Sequence, residues 1–137
     1  MIRQLDDKTL VSGQISPADV AELQRQGVTM IVNNRPDHED EDQPLSGEIE
    51  EAAGQAGVEF RFIPITRGIG PSDVEAMNDA MRDCGDGKLL AFCRSGTRST
   101  LAWAVARARE GVPREQLEAG AAKAGAPSGR RVTLAAS

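Results

Sequence analysis

The stretch KLLAFCRSGTRSTLAWAVA, residues 88–106, decides how the rest of the chain is read. It runs from an apolar segment through one cysteine and two arginines into a second apolar segment. KLLAF (88–92) carries four apolar residues in a row, the pattern of a central parallel strand covered on both faces. From Ser99 to Ala106 the only polar residues are Ser99 and Thr100, both in the first turn. A helix apolar on every side is expected inside a domain rather than on its surface. Packing alone gives no reason to set Cys93, Arg94 and Arg98 between two such elements.

Outward from this stretch, strands and helices alternate. RQLDDKTLVSGQ predicts two short strands around a polar turn at Asp6–Lys8. SPADVAELQRQG (16–27) predicts a helix with Ser16 at its N-cap, Pro17 in its first turn and Gly27 as its stop. VTMIVNN (28–34) is a β-branched run that reads as a buried strand, and RPDHEDEDQP (35–44) reads as an acidic loop. A second helix is expected over 46–57 and a half-covered strand over 58–65. A third helix over 71–84 would carry Val74, Met77, Met81 and Cys84 on one stripe. A last helix is expected over 113–125. Such alternation predicts an α/β fold: a mostly parallel central sheet of 4–5 strands flanked by helices. Residues 1–125 form the expected domain and 126–137 read as an irregular C-terminal tail.

Composition excludes several function classes. With 39% hydrophobic and 27% charged residues the 137-residue chain reads as one ordinary soluble domain. A net charge of −5, no Tyr, one Trp and three Phe argue against nucleic acid as a partner. No stretch approaches the ~20 apolar residues that cross a bilayer, and the charged start MIRQLDDKTL lacks a signal peptide's apolar core. Two cysteines, Cys84 and Cys93, make no disulfide framework and read as thiols in a reducing compartment, so a cytoplasmic location is expected. One histidine argues against a His-rich metal centre, and neither a metal nor another cofactor is expected.

Parallel sheets bind ligands at the carboxyl ends of their strands, and Cys93 sits at such an end. The amides of Arg94, Ser95, Gly96, Thr97, Arg98 and Ser99 can turn inward as a nest, helped by the positive end of the following helix. Gly96 permits the tight path. A thiol so placed is expected as its nucleophilic thiolate, and Arg98 offers a planar fork to an anion above the sulfur. The competing reading is an inert buried cysteine flanked by solvated arginines. The combination Cys-x-x-Gly-x-Arg-Ser between an apolar strand and an apolar helix is restrictive enough to favour the anion site.

Residues 3–125, through SGQISPADVAELQRQGVTMIVNNRPD, VEFRFIPIT and LLAFCRSGTRSTLAWAVA, resemble a bacterial family of small phosphatase-like domains. These are the phosphatase-like domains of beta-lactamase hydrolase-like proteins, related in fold to dual-specificity and tyrosine phosphatases. The resemblance implies Cys93 as nucleophile, Arg98 as anion clamp, the 94–98 backbone as cradle, and Ser99 as the hydroxyl that stabilises the thiolate. It also implies a small anionic substrate, either a phosphoester or a sulfane-sulfur donor. Two departures matter. Tyrosine phosphatases put five residues between Cys and Arg and a histidine before the Cys; here there are four, Arg94 to Thr97, and Phe92 precedes. The shorter loop resembles that of rhodanese-type sulfurtransferases. The family's acid-bearing loop corresponds to TRGIGPSD, which has no acid until Asp73, better read as a helix N-terminal charge. Asp37 is the substitute candidate for general acid.

Other residues have two readings each. DHEDED (37–42) lacks the glycine and final glutamate of a calcium loop and reads as solvated. Arg35 would hold Asp37, an anion or a structural salt bridge. Arg67 would border the pocket or project into water. Cys84 could resolve a bond to Cys93 or fill the core, and Trp103 reads as packing. Three functions therefore follow: a cysteine-dependent phosphoester hydrolase, which is carried forward; a sulfurtransferase with persulfide on Cys93; or a non-catalytic anion-binding module.

Overall fold

The computed structural model describes residues 2–123. The predicted tail over 126–137 lies outside them. Strand β1 (Arg3–Gln4) and β2 (Thr9–Ser12) form the expected pair around the Asp6–Lys8 turn, where Asp6 Oδ1 accepts from the amides of Lys8 and Thr9 at 2.9 and 2.7 Å. A 3-10 turn (Pro17–Asp19) leads into α1 (Val20–Arg25), and Gly27, at φ 98°, ends it. Then follow β3 (Val28–Asn33), α2 (Ser46–Ala56), β4 (Glu59–Phe62), α3 (Pro71–Cys84), β5 (Lys88–Phe92), α4 (Thr97–Arg109) and α5 (Arg114–Lys123).

The sheet order is β1-β2-β5-β3-β4, with β2, β5, β3 and β4 parallel and β1 antiparallel at one edge. β5 is therefore central, as its apolar run requires. Its period-two alternation sends Leu89 and Ala91 to one face and Leu90 and Phe92 to the other. Leu89 and Ala91 pack with Met30 and Val32 against Val74, Met77 and Ala80 of α3 and Ala102 and Ala106 of α4. Leu90 and Phe92 pack with Val28 and Ile31 against Val20 and Leu23 of α1 and Ile49 and Ala53 of α2. Helices thus cover both faces, which is what an all-parallel core demands.

The predicted interior helix is α4, whose Ala102, Trp103, Ala104 and Ala106 are buried. It lies between the sheet, α3 and α5, with Leu101 and Val105 only partly covered. Trp103 Nε1 donates to Asp6 Oδ2 at 3.0 Å, so the indole is packing with a satisfied polar edge. α5 docks closely there because residue 120 is glycine: a Cβ on Gly120 would stand 2.5 Å from the Leu5 carbonyl oxygen.

Candidate active site

Because β2, β5, β3 and β4 are parallel, the segments that follow them open on one edge of the sheet. Asn34 extends the β3–β5 pairing, its amide donating to the Phe92 carbonyl at 2.8 Å, while its side-chain Nδ2 donates to the Ile63 carbonyl at 3.0 Å. These bonds draw the segments after β3, β4 and β5 to one place.

Cys93 follows β5 directly. Its Sγ accepts a hydrogen bond from the Gly96 amide at 3.1 Å. The loop is turned this way by what holds its carbonyls outward. The Arg94 carbonyl accepts from the Gln14 amide at 3.4 Å, and the Ser95 carbonyl accepts from Arg3 Nη2 at 2.9 Å. Gly13 permits the first approach, since a Cβ there would lie 2.9 Å from the Arg94 oxygen. Gly96 adopts φ 95°, a left-handed conformation open to glycine. α4 begins at Thr97, two residues before Ser99, because the Thr100 amide and hydroxyl both reach the Gly96 carbonyl, at 3.0 and 2.8 Å. Arg98 and Ser99 consequently stand in the helix's first turn. Ser99 is fully buried, and its Oγ has no hydrogen-bond partner among the described residues.

Arg98 does not wait with an empty fork. Its Nη1 and Nη2 donate to Glu39 Oε2 and Oε1 at 2.7 and 2.8 Å, and Nη1 also donates to the Ile65 carbonyl at 3.0 Å. Arg35, whose side chain is only 4% exposed, completes the arrangement. Its Nε meets Glu39 Oε1 at 2.9 Å, Nη2 meets Asp40 Oδ2 at 2.7 Å, and Nη1 donates to Gln14 Oε1 at 2.9 Å. The Arg98 hydrogen bonds, reinforced by Arg35, push the Glu39 carboxyl down to about 2. The Glu39 bond, and beyond it the neighbouring Cys93 sulfur, raise the hold of Arg98 on its proton.

Several expectations change here. An open pocket over the sulfur is implied by the cysteine loop, yet Cys93 is 0% exposed. Neither of two cavities of about 240 and 270 Å³, one beside Cys84 and Arg107 and one beside Gln14 and Asp19, is lined by Cys93 or Arg98. The acidic run is not simply solvated: Glu39 and Asp40 pair with arginines. Asp37 Oδ1 accepts from the Ser46 amide at 2.8 Å, so the candidate general acid caps α2. Arg35 holds Glu39 and Asp40 rather than Asp37. Arg94 is largely exposed, 3.9 Å from Asp40, Arg67 is exposed, and His38 lies exposed at φ 69°. Cys84 sits on the opposite edge beside Thr29, with 3.4 Å between Sγ and Oγ1. Asp73 Oδ2 accepts from the Gly70 amide at 2.9 Å, the helix N-terminal role read from the sequence.

Residues 1–110 match the family described as "Beta-lactamase hydrolase-like protein, phosphatase-like domain". The chain belongs to this family. A Beta-lactamase hydrolase-like protein of Agrobacterium fabrum is 32% identical over 120 residues, covering 84% of this chain and 27% of its own length. The chain thus spans about a quarter of that relative. A crystal structure from Neisseria meningitidis, described as a "putative phosphatase", is 38% identical with a TM-score of 0.76, over 90% of this chain and 88% of that one. P. aeruginosa TpbA, solved as a cysteine-to-serine variant in complex with pTyr, shares the fold at 19% identity and a TM-score of 0.62, covering 87% of this chain and 70% of its own.

In this phosphatase-like domain, sequence reasoning missed Glu39, Gln14 and Arg3. Glu39 was hidden among four neighbouring acids and a histidine, with nothing local to single it out. Gln14 belongs to the GQ pair that carries the family resemblance, and its amide and side chain hold the Arg94 carbonyl and Arg35 respectively. Among the described residues no helix is long and apolar enough to cross a membrane.

Proposed function

We propose that this phosphatase-like domain hydrolyses a small phosphoester through Cys93. The observation that carries this reading is the Gly96 amide aimed at Cys93 Sγ at 3.1 Å, with Arg98 one turn on in α4. The Cys93 thiolate attacks phosphorus and the bond to the leaving oxygen breaks, leaving a thiophosphate on the sulfur. The loop amides of 94–98 and the two Nη groups of Arg98 stabilise the equatorial oxygens. The Ser99 hydroxyl, buried with its hydrogen uncommitted, turns to the sulfur and stabilises it as it leaves. Water then attacks phosphorus, releasing phosphate and restoring the thiolate.

Asp37 is occupied at the α2 N-terminus, and Arg98 keeps Glu39 ionised, so neither carboxyl is poised to give the leaving oxygen a proton. The proton comes from solvent, and leaving groups that depart readily as anions, such as phenols, are favoured. The pTyr bound by TpbA is an ester of that kind. Hydrolysis of an aryl phosphate by the purified protein, beside Cys93→Ser and Arg98→Ala, tests the reading. Turnover indifferent to Cys93→Ser overturns it.

Sulfur transfer is the second reading, favoured by the four-residue loop and by the engagement of Asp37 and Glu39 elsewhere. A sulfur atom on Cys93 needs one or two amide donors and no proton donor. Intact-mass detection of a persulfide on Cys93 after a sulfane-sulfur donor supports it, and failure to form one removes it.

A further inference from the structure

We infer that Glu39 is a built-in occupant of the substrate's anion site, and that the acidic loop 37–43 must release Arg98 before a phosphoester reaches Cys93. The inference rests on the oxyanion-binding reading proposed above and names how that site is regulated.

Three independent observations carry it. First, both carboxylate oxygens of Glu39 lie on the two terminal nitrogens of Arg98, at 2.7 and 2.8 Å, the bidentate arrangement two phosphoryl oxygens would need. One fork cannot serve both anions. Second, Cys93 is 0% exposed while the arginine that should clamp its substrate is taken. An in-line attack requires the sulfur to meet phosphorus directly, so this arrangement is a resting state. Third, the segment that carries Glu39 is bound within itself. Gln43 binds it internally, its Oε1 accepting from the amides of Glu39 and Asp40 at 3.0 and 3.3 Å and its Nε2 donating to the Pro36 carbonyl at 2.8 Å. His38 at φ 69° is a left-handed turn uncommon for a side-chain-bearing residue, placed immediately before Glu39.

The exchange also selects a substrate class. When the loop carrying Glu39 and Asp40 leaves, Arg35 keeps its bond to Gln14, and its Nε turns from Glu39 to the incoming anion. A dianionic phosphate monoester meets two guanidinium groups and competes well with one carboxylate. Phosphodiesters, with a single charge, compete poorly, and polyanions are repelled by the remaining carboxylates of Asp37, Asp40, Glu41 and Asp42.

The test reads access and anion binding separately, on the whole chain. Access is the rate of Cys93 alkylation by neutral iodoacetamide, followed by site-resolved mass spectrometry on the high-pH plateau so that thiol ionisation does not enter. Cys84 in the same molecule is the internal reference. Anion binding is the Kd for orthovanadate. If the competent form is roughly a tenth of the population, Glu39→Ala raises the Cys93 rate about tenfold and lowers the vanadate Kd about tenfold. Glu39→Gln, which keeps one acceptor for Arg98, falls between, and the exposed Glu41→Gln matches the parent. Unchanged Cys84 rates show that each variant is folded. Equal Cys93 rates in the parent and Glu39→Ala overturn the inference whatever vanadate does. A faster Cys93 in Glu39→Ala without vanadate binding to either protein upholds the closure and removes the phosphoester reading instead.

Discussion

Replacing Gly96 by alanine tests whether the cysteine loop is shaped as described. The residue sits at φ 95° and ψ −11°, where an L side chain costs about 1–2 kcal/mol. The new Cβ would also stand 2.6 Å from Arg3 Nη2 and 3.4 Å from the Ser12 carbonyl oxygen. Arg3 must then move, weakening its 2.9 Å bond to the Ser95 carbonyl, which adds about 1 kcal/mol for a solvent-accessible bond. The sum is about 2–3 kcal/mol, or a fall in Tm of about 8–10 °C for a chain of this size. Gly111→Ala is the control: it shares the left-handed backbone, at φ 91°, but nothing lies within 4 Å of the new Cβ. It should show only the backbone part, about 5 °C. Thermal unfolding followed by circular dichroism gives both values. Equal losses for the two variants would refute the close packing of Arg3 on the loop, and a Gly96→Ala protein melting within about 1 °C of the parent would refute the loop geometry itself.

Other consequences follow from single contacts. The Glu39 carboxyl, followed by carbon-detected NMR, should titrate near 2, and Arg98→Ala should move its midpoint up towards 4.5. Since its folded value lies below 4.5, the stabilisation from this pair is fully present above that pH and is lost as pH falls towards about 2; a midpoint near 4.5 in the parent would show the pair does not form in solution. Arg35→Met leaves Glu39, Asp40 and Gln14 without their shared donor and should lower stability to urea by about 2–4 kcal/mol; a loss under about 0.5 kcal/mol would mean the side chain is not the buried hub described. Leu90→Ala, at 0% exposure in the central strand, should cost about 3 kcal/mol in the same assay.

Much of the fold is legible in the chain because its signals are local. The unbroken apolar run at 88–92 marks the central strand, Pro71 and Asp73 mark the start of α3, and Gly27 and Gly96 mark positive φ where elements end or begin. The turn from Cys93 into α4 is also legible, since Gly96 lies between an apolar strand and an apolar helix. The start of α4 is misjudged by two residues because the polar Thr97 and Arg98 look like loop, and only the Gly96 carbonyl shows that the helix has already begun. Asp37 looks as good an acid candidate as Glu39 in sequence, and only the fold turns one to Ser46 and the other to Arg98.

What the amino-acid order determined by itself is the set of elements, the parallel class of the sheet and the sharp turn between Cys93 and α4. Each depends on neighbours a few positions apart, through periodicity and backbone conformation. What only the tertiary structure decided is the state of that site. Glu39 and Arg98 are 59 positions apart, and Arg3 and Ser95 are 92 apart. They meet because β2 and β3 both flank β5, bringing the segments after these strands to one sheet edge and Arg3, in the strand paired with β2, beside the loop. No local pattern encodes which of several identical carboxylates will arrive there, since the choice is made by strand order and by the buried Arg35 that anchors the loop.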